Sequence, residues 1–332
     1  MSATTTYQTF SDLYTALQVA VRVTTGVTAT ENIAKRLINV ALHDCHVGMD
    51  YRFPWCERSA ILRTQAQYTT GTLTATKGST TLEGSGTAWN TNNDFSVKNM
   101  RAGGKVRIAG ALDPYTISSV TDDDTAVLSA AFVETTVTDG TYTYYEDEYA
   151  LASDFLRPVD MQRFSDAIPI DLISRTEFRR RYPSNSVPQT RPSVACIIDA
   201  PFSSTTTPVR RVRFAPPPSS NVLIPYTYIT SNLAVSSAGV AAANLSADTD
   251  EPIVPLRYRG AIFYHALAAW YRDRKDDSRA QQAKDEYTDL MLRLAGDMEV
   301  GAVRPQIRPQ VSGYRRAAKR PWAGGFLRGY RE

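Results

Sequence analysis

Hydrophobic positions repeat with a helical period towards both ends of the chain and alternate in between. In residues 10–63, Leu13, Leu17, Ala20 and Val21 fall at i, i+4, i+7 and i+8, with Ser11 as the expected N-cap. Thr28-Ala29-Thr30-Glu31 reads as a capping box opening a second helix. On it Ile33, Leu37, Val40 and Ala41 make an apolar row that Ala34, Ile38 and Leu42 widen. Gly48 is the expected stop, and Pro54 the start of a short third helix through Ile61 and Leu62. This pattern predicts that Leu37 is buried against Leu267 of a later helix.

The period is lost near Gln65. Seventeen threonines lie between Thr69 and Thr143, together with many glycines, in short alternating runs such as TGTLTATKGSTTLEGSGTAW and DGTYTYYEDEY. Such runs, broken by Gly, Asp and Asn clusters, predict short antiparallel strands with tight turns in a small sandwich or barrel. Helix-forming sequence flanks the stretch on both sides, so it reads as an inserted β domain.

Mixed structure follows. Ser174-Arg175-Thr176-Glu177 is a second capping-box match, for a helix that ends before Pro183. SVACIID (193–199), VRRVRFAPP (209–217) and NVLIPYTYIT (221–230) are strand candidates, and PPSSN (217–221) predicts that the last two form a hairpin. Residues 231–250 read as a surface loop. A helix carries the stripe Ile262, Ala266, Ala269 and Trp270. After a polar break at 272–278, another carries Tyr287, Leu290, Met291 and Leu294 and stops at Gly296 or Gly301. The fold class is therefore α+β: a helical-bundle core with a small antiparallel sheet, an inserted all-β domain, and an extended basic C-terminal tail. The expected boundaries are 1–65 and 148–300 for the core, 66–147 for the insert and 301–332 for the tail.

Charge changes the picture only in that tail. Residues 304–332 hold eight cations (Arg304, Arg308, Arg315, Arg316, Lys319, Arg320, Arg328, Arg331) against Glu332, so the rest of a +3 chain is −4. Tyr314, Trp322, Phe326 and Tyr330 are interspersed, and Pro305, Pro309, Pro321 and four glycines disfavour regular structure. A segment of this kind cannot bury enough apolar surface to order itself, but it suits a partner: arginines make bidentate contacts and aromatics fill pockets. Trp322, Phe326, Tyr314, Tyr330 and the cations from Arg304 to Arg328 are the candidate binding residues.

The candidate chemistry is otherwise thin. The N-terminus lacks the pattern of a signal peptide, and no apolar run approaches a membrane span. Cys45, Cys56 and Cys196 share no zinc or redox spacing and are expected to be reduced thiols. His43 and His46 lie at i and i+3 and could share one ion. No second pair completes a site, so they read as polar contacts near a helix end, and no metal or cofactor is assigned. No nucleophile elbow, P-loop or dinucleotide fingerprint occurs. Glu146-Asp147-Glu148 and Asp122-Asp123-Asp124 are the densest acidic runs. Both are expected to be solvated, the second as a hairpin turn, so no enzyme is indicated.

Three segments in order, EDEYALASDFLRPVDMQRF (146–164), VRRVRFAPPPSSNVLIPYTYIT (209–230) and DTDEPIVPLRYRGAIFYHALAAWY (248–271), resemble the head-to-tail adaptor (connector) proteins of tailed bacteriophages. Thr80–Trp89 is similar to the opening of small β modules that recur in phage virion proteins. The resemblance implies a structural protein of the virion neck, made in the host cytoplasm, that forms a twelve-copy ring under the portal. Its partners would be the portal, other copies of itself, and tail, nozzle or other neck proteins, with no membrane. The basic tail would dock on the portal. The alternatives are a module that touches packaged DNA in the neck channel and a virion-associated cell-wall hydrolase.

Overall fold

The computed structural model describes residues 7–23, 25–47, 53–182, 191–199 and 209–302. It is a mixed structure of helices and several sheets. The helices among the described residues are α1 (Phe10–Ala20), α2 (Thr28–Val47), α3 (Arg175–Arg181), α4 (Gly260–Asp273) and α5 (Asp277–Ala302). The strands begin with β1 (Glu57–Arg63), β2 (Thr72–Ala75), β3 (Thr81–Ser85), β4 (Lys105–Ile108), β5 (Tyr115–Val120) and β6 (Thr125–Leu128). Next come β7 (Val137–Gly140), β8 (Tyr142–Tyr145), β9 (Glu148–Ala150), β10 (Phe155–Met161), β11 (Asp171–Leu172), β12 (Val194–Asp199), β13 (Arg210–Ala215) and β14 (Leu223–Thr230). The two-residue strands β15 (Ala234–Val235), β16 (Ala241–Ala242) and β17 (Glu251–Pro252) complete the set. Two compact units result: Glu57–Ser231, and the residues up to Cys56 together with those from Asn232 onward.

In the second of these, α1, α2, α4 and α5 pack on one another. Helix α1 opens one residue after Thr9, not at Ser11. Thr9 accepts from the Asp12 backbone, and the Asp12 carboxylate accepts in return from the Thr9 N–H at 2.9 Å. Thr9-x-x-Asp12 supplies both halves of a capping box, whereas Ser11 lies inside the first turn. The buried face is Phe10, Leu13, Tyr14, Leu17 and Gln18, and Ala20 is exposed.

Helix α2 buries only part of its expected stripe. Its buried row is Ala34, Ile38, Ala41, Leu42 and Cys45, while Ile33 and Val40 are 42% and 45% exposed. Leu37 and Leu267 are each only half-buried, so neither is the core leucine expected, although their helices α2 and α4 do pack on each other. The two alanines let α1 and α4 come close, and a helix packs through its small residues where axes approach. The stripe on α4 is as expected at Ile262, Ala266 and Trp270, and on α5 Met291 and Leu294 are buried. Helix α5 runs through both Gly296 and Gly301, the two expected stops.

The expected third helix at Pro54 is a short 3₁₀ turn, Pro54–Cys56, leading into β1. All seven residues of β1 pair with β14, and that long-range ladder overrides the local helical signal. The expected hairpin between the 209–217 and 221–230 strands does not form either. Strand β13 lies between β12 and β9, and β14 between β1 and β10, so each has both edges occupied by other partners. The PPSSN segment instead carries the chain from one sheet to the next.

The Thr/Gly-rich stretch forms a seven-stranded antiparallel sheet in the order β7-β2-β3-β6-β5-β4-β8. Its two edge strands are separated by a single residue, Thr141, so the sheet curls on itself. Leu73, Leu82, Trp89, Val106, Ile117, Phe132 and Tyr142 fill the concave side. The GSGTAW run has a mechanical reading. A Cβ on Gly84 would meet Thr87 Oγ1 at 2.2 Å, and Gly86 takes φ +64°. Thr87 can therefore donate to the Asp123 carbonyl at 2.6 Å, and Trp89 enters the core with its Nε1 donating to Tyr142 Oη at 2.8 Å.

Candidate functional site

The tail residues Arg304, Arg308, Tyr314, Arg315, Arg316, Lys319, Arg320, Trp322, Phe326, Arg328 and Tyr330 lie outside the described residues. The His43-Asp44-Cys45-His46 cluster is described, at the end of α2. His43 Nε2 meets Asn244 Oδ1 at 2.7 Å. His46 has both ring nitrogens engaged: Nδ1 donates to the Leu42 carbonyl at 2.7 Å and Nε2 accepts from Trp55 Nε1 at 3.3 Å. Among the described residues no group of three or more His, Cys, Asp or Glu is placed to hold a metal. Cys45 is buried, which pushes its thiol up to about 12 and leaves it unreactive.

The Asp122–Asp124 run is the hairpin turn between β5 and β6, and Asp123 Oδ1 accepts from the Asn90 backbone at 2.9 Å. The other acidic run overturns its expectation. Glu146 and Asp147 are not solvated but 5% and 2% exposed, at the exit from the seven-stranded sheet. Arg101 holds Glu146 bidentately, through Nε at 2.8 Å and Nη2 at 2.5 Å, and Tyr144 donates to Glu146 Oε1 at 2.7 Å. Asp147 Oδ2 receives Lys105 at 2.5 Å and Arg213 at 2.7 Å. These partners are what makes burial tolerable, since an unpaired buried charge costs several kcal/mol. Burial, and after it the Glu146 charge, pushes the Tyr144 and Tyr149 phenols up, so both remain protonated donors. Tyr149 Oη donates to the Glu146 carbonyl and accepts the Gln65 N–H at 3.0 Å.

Beside this cluster lies an open cleft of about 430 Å³. Its walls are Ile61–Arg63 of β1, the turn 101–104, Glu148–Ala150 of β9, and Arg211 of β13. Reading residues alone missed Arg63, Arg101, Lys105, Arg211 and Arg213. One signal was available: in VRRVRF, alternation puts Arg211 and Arg213 on one strand face, facing an acidic run that is itself strand-like.

The three quoted segments explain themselves as clamps. In the first two, Tyr226 Oη accepts from the Ala152 N–H at 3.0 Å. Asp154 accepts from Tyr228 Oη at 2.8 Å and from Thr230 Oγ1 at 2.6 Å, fixing the end of β14. In the third, the Asp250 carboxylate accepts from the Ser246 and Ala247 N–H groups, both at 2.8 Å. Arg259, 8% exposed, donates to the Val254 and Gln8 carbonyls and to Glu251.

The family model described as SU10 adaptor protein matches residues 121–310, more than half of the chain. All three segments fall inside that match, whereas residues 57–120, with β1 and most of the curled sheet, fall before it. No curated protein matches the chain. Among the described residues no helix is long and apolar enough to cross a membrane.

Proposed function

The chain belongs to the SU10 adaptor protein family of phage structural adaptors, and from this we infer that it joins the capsid portal to the tail in the virion neck. The match over 121–310 is the observation that carries the reading. In it the chain forms a twelve-copy ring through its helical unit, presents a surface to tail, nozzle or other neck proteins, and docks on the portal with residues 304–332. The charge contrast supports this division of labour: eight cations in the tail against a body of −4. A basic, aromatic-bearing segment that orders on binding can reach along a partner without a folded domain of its own. The inserted module at 66–147 belongs to the same proposal.

The test is co-sedimentation with portal rings, together with the mass of the protein with and without portal. Removing residues 303–332 should leave a folded protein that no longer co-sediments. Trp322→Ala should weaken binding more than any single Arg→Ala in the tail, because a buried aromatic anchor commonly contributes about 2 kcal/mol or more and an exposed charge pair under about 1. Normal binding by the truncated protein would place attachment on the body. The second reading, contact with packaged DNA, rests on the same cations and is separated by salt. Phosphate contacts give a steep fall of log K with log salt, and pocket-anchored docking a shallow one.

A further inference from the structure

We propose that the cleft between β1 and β9 accepts an extended acidic segment of another protein as an added β-strand. The first ground is that two open strand edges border one cleft. Strand β1 is the edge of the β1-β14-β10 sheet, and β9 is the edge of the β11-β12-β13-β9 sheet. Among the described residues, no strand pairs with the outer side of either.

Hydrogen-bond phase shows which backbone groups face outward. The Thr64 N–H donates to the Val222 carbonyl at 3.0 Å, so the even positions of β1 exchange bonds with β14 and the odd positions turn away. The partner strand agrees: Ile61 lies opposite Pro225, whose carbonyl accepts instead from Gln162 on the other side. Ser59, Ile61 and Arg63 therefore present their N–H and C=O groups to the open edge. On β9, Leu151 N–H donates to Arg210 and the Asp147 carbonyl accepts from Phe214, which leaves Glu148 and Ala150 facing outward. Ile61 is 63% exposed, an apolar side chain of an edge strand left for a neighbour to cover.

Charge selects the occupant. The Arg63 guanidinium lies 4.2 Å from the Phe95 ring centre and makes no ion pair among the described residues, so its donors remain available. Arg211 Nη2 already donates to the outward Glu148 carbonyl at 3.2 Å, but its Nε has no hydrogen-bond partner and stands 4.0 Å from the Glu148 carboxylate. Arg101 is the third cation on the wall, but Glu146 already occupies it. The cleft wall thus carries three cations, Arg63, Arg101 and Arg211, against two carboxylates, Glu146 and Glu148, and because Glu146 is already paired the spare side-chain donors favour a carboxylate-bearing strand. Residues 304–332, with eight cations, are the wrong occupant. Side chains of an added strand alternate, so carboxylates two residues apart would project to the same wall. This site is separate from the tail and stands whether or not the tail docks on a portal.

The experiment selects from a random library of short linear peptides on the full-length protein, then measures the winners by fluorescence anisotropy. Two variants decide the mode. Ile61→Pro removes an outward N–H without touching the ladder to β14, and Arg63→Glu reverses an exposed charge. The expected result is enrichment of peptides with alternating acidic residues, whose affinity falls about tenfold or more in Arg63→Glu, with Ile61→Pro showing a comparable loss if its melt is unchanged. A synthetic 304–332 peptide should neither bind the cleft nor compete. Failure to enrich, enrichment of basic sequences, or acidic peptides that bind Arg63→Glu as tightly as the native protein would overturn the proposal.

Discussion

The helical unit and the sheet unit both bury charge, and they neutralise it with different partners. In the helical unit the partners are mainly backbone and near in sequence. Asp250 is held by the N–H groups of Ser246 and Ala247, and Arg259 by the Val254 carbonyl among others. Those N–H bonds hold the Asp250 carboxyl below its ordinary value. In the sheet unit the partners are side chains far along the chain: Asp147 joins Lys105 and Arg213, and Glu146 joins Arg101. A backbone-neutralised charge is part of a turn and forms with it. A side-chain-neutralised charge depends on three strands arriving together, so its loss should be felt across the unit.

The sharpest break of that comparison is Asp147→Ala, which leaves Lys105 and Arg213 without their common carboxylate. Side-chain exposures of 13% and 23% keep both cations poorly solvated. Removing one partner of a buried ion group should cost about 3–5 kcal/mol, read as a shift of the urea midpoint of the full-length protein. A loss below about 1 kcal/mol would mean that water reaches the site and that the pairing is ornamental.

Next in size is a test of the helical unit's packing. Leu42→Ala should cost about 3 kcal/mol, because Leu42 is fully buried on the α2 face. Val40→Ala, on the opposite face and 45% exposed, should cost about 0.5 kcal/mol or less. Equal effects at the two positions would show that the face of α2 has been misassigned.

Asp250→Ala comes third, at about 1–2 kcal/mol, since the freed Ser246 and Ala247 N–H groups can turn to water. If it destabilises as much as Asp147→Ala, backbone and side-chain neutralisation are equivalent here and the contrast between the units falls.

The same contrast explains what could be read from sequence. Some local devices were legible: Ser174 caps α3 by accepting from Glu177 N–H, and Ile262, Ala266 and Trp270 form a buried stripe, whereas the cap of α1 is Thr9 rather than Ser11. The Thr/Gly-rich strands were legible from alternation and turn chemistry, because a curled antiparallel sheet repeats both. Pairing between distant strands was not. PPSSN looked like a hairpin turn, yet β13 and β14 each had two better partners. The start at Pro54 looked helical, yet β14 claimed residues 57–63. Glu146 and Asp147 looked solvated because the run itself carries no mark of its partners, and the one signal, the alternation in VRRVRF, lies far along the chain. On α2 the expected stripe was wider than the face that packs: Ala34, Ile38, Ala41 and Leu42 are buried, whereas Ile33 and Val40 at its margin are exposed.

The smallest expected effect concerns pH, and it too should separate the units, because His43, His46 and His265 all belong to the helical one. Burial lowers the His46 and His265 pKa values. For His46 the Leu42 carbonyl opposes burial weakly and His43 adds to it; for His265 Asp44 opposes and Arg272 adds. In the unfolded chain both titrate near about 6.5. Below that pH the unfolded state binds more protons than the folded state, so stability must fall as pH falls. About one pH unit or more above that value both states are neutral and the contribution is fully present. The geometry gives the reason at His46: a proton on Nε2 would face the Trp55 N–H donor in place of accepting from it. Urea unfolding followed by the helical far-ultraviolet signal should therefore weaken between about pH 7 and about pH 5.5. Near-ultraviolet signals from Trp89 and Tyr142 in the sheet unit should hold. His46→Gln should flatten part of the helical dependence, since an amide can keep a contact to Trp55 without titrating. A helical unit whose stability is level across that range, or a sheet unit that weakens in step with it, would show that these histidines do not stay neutral in the fold.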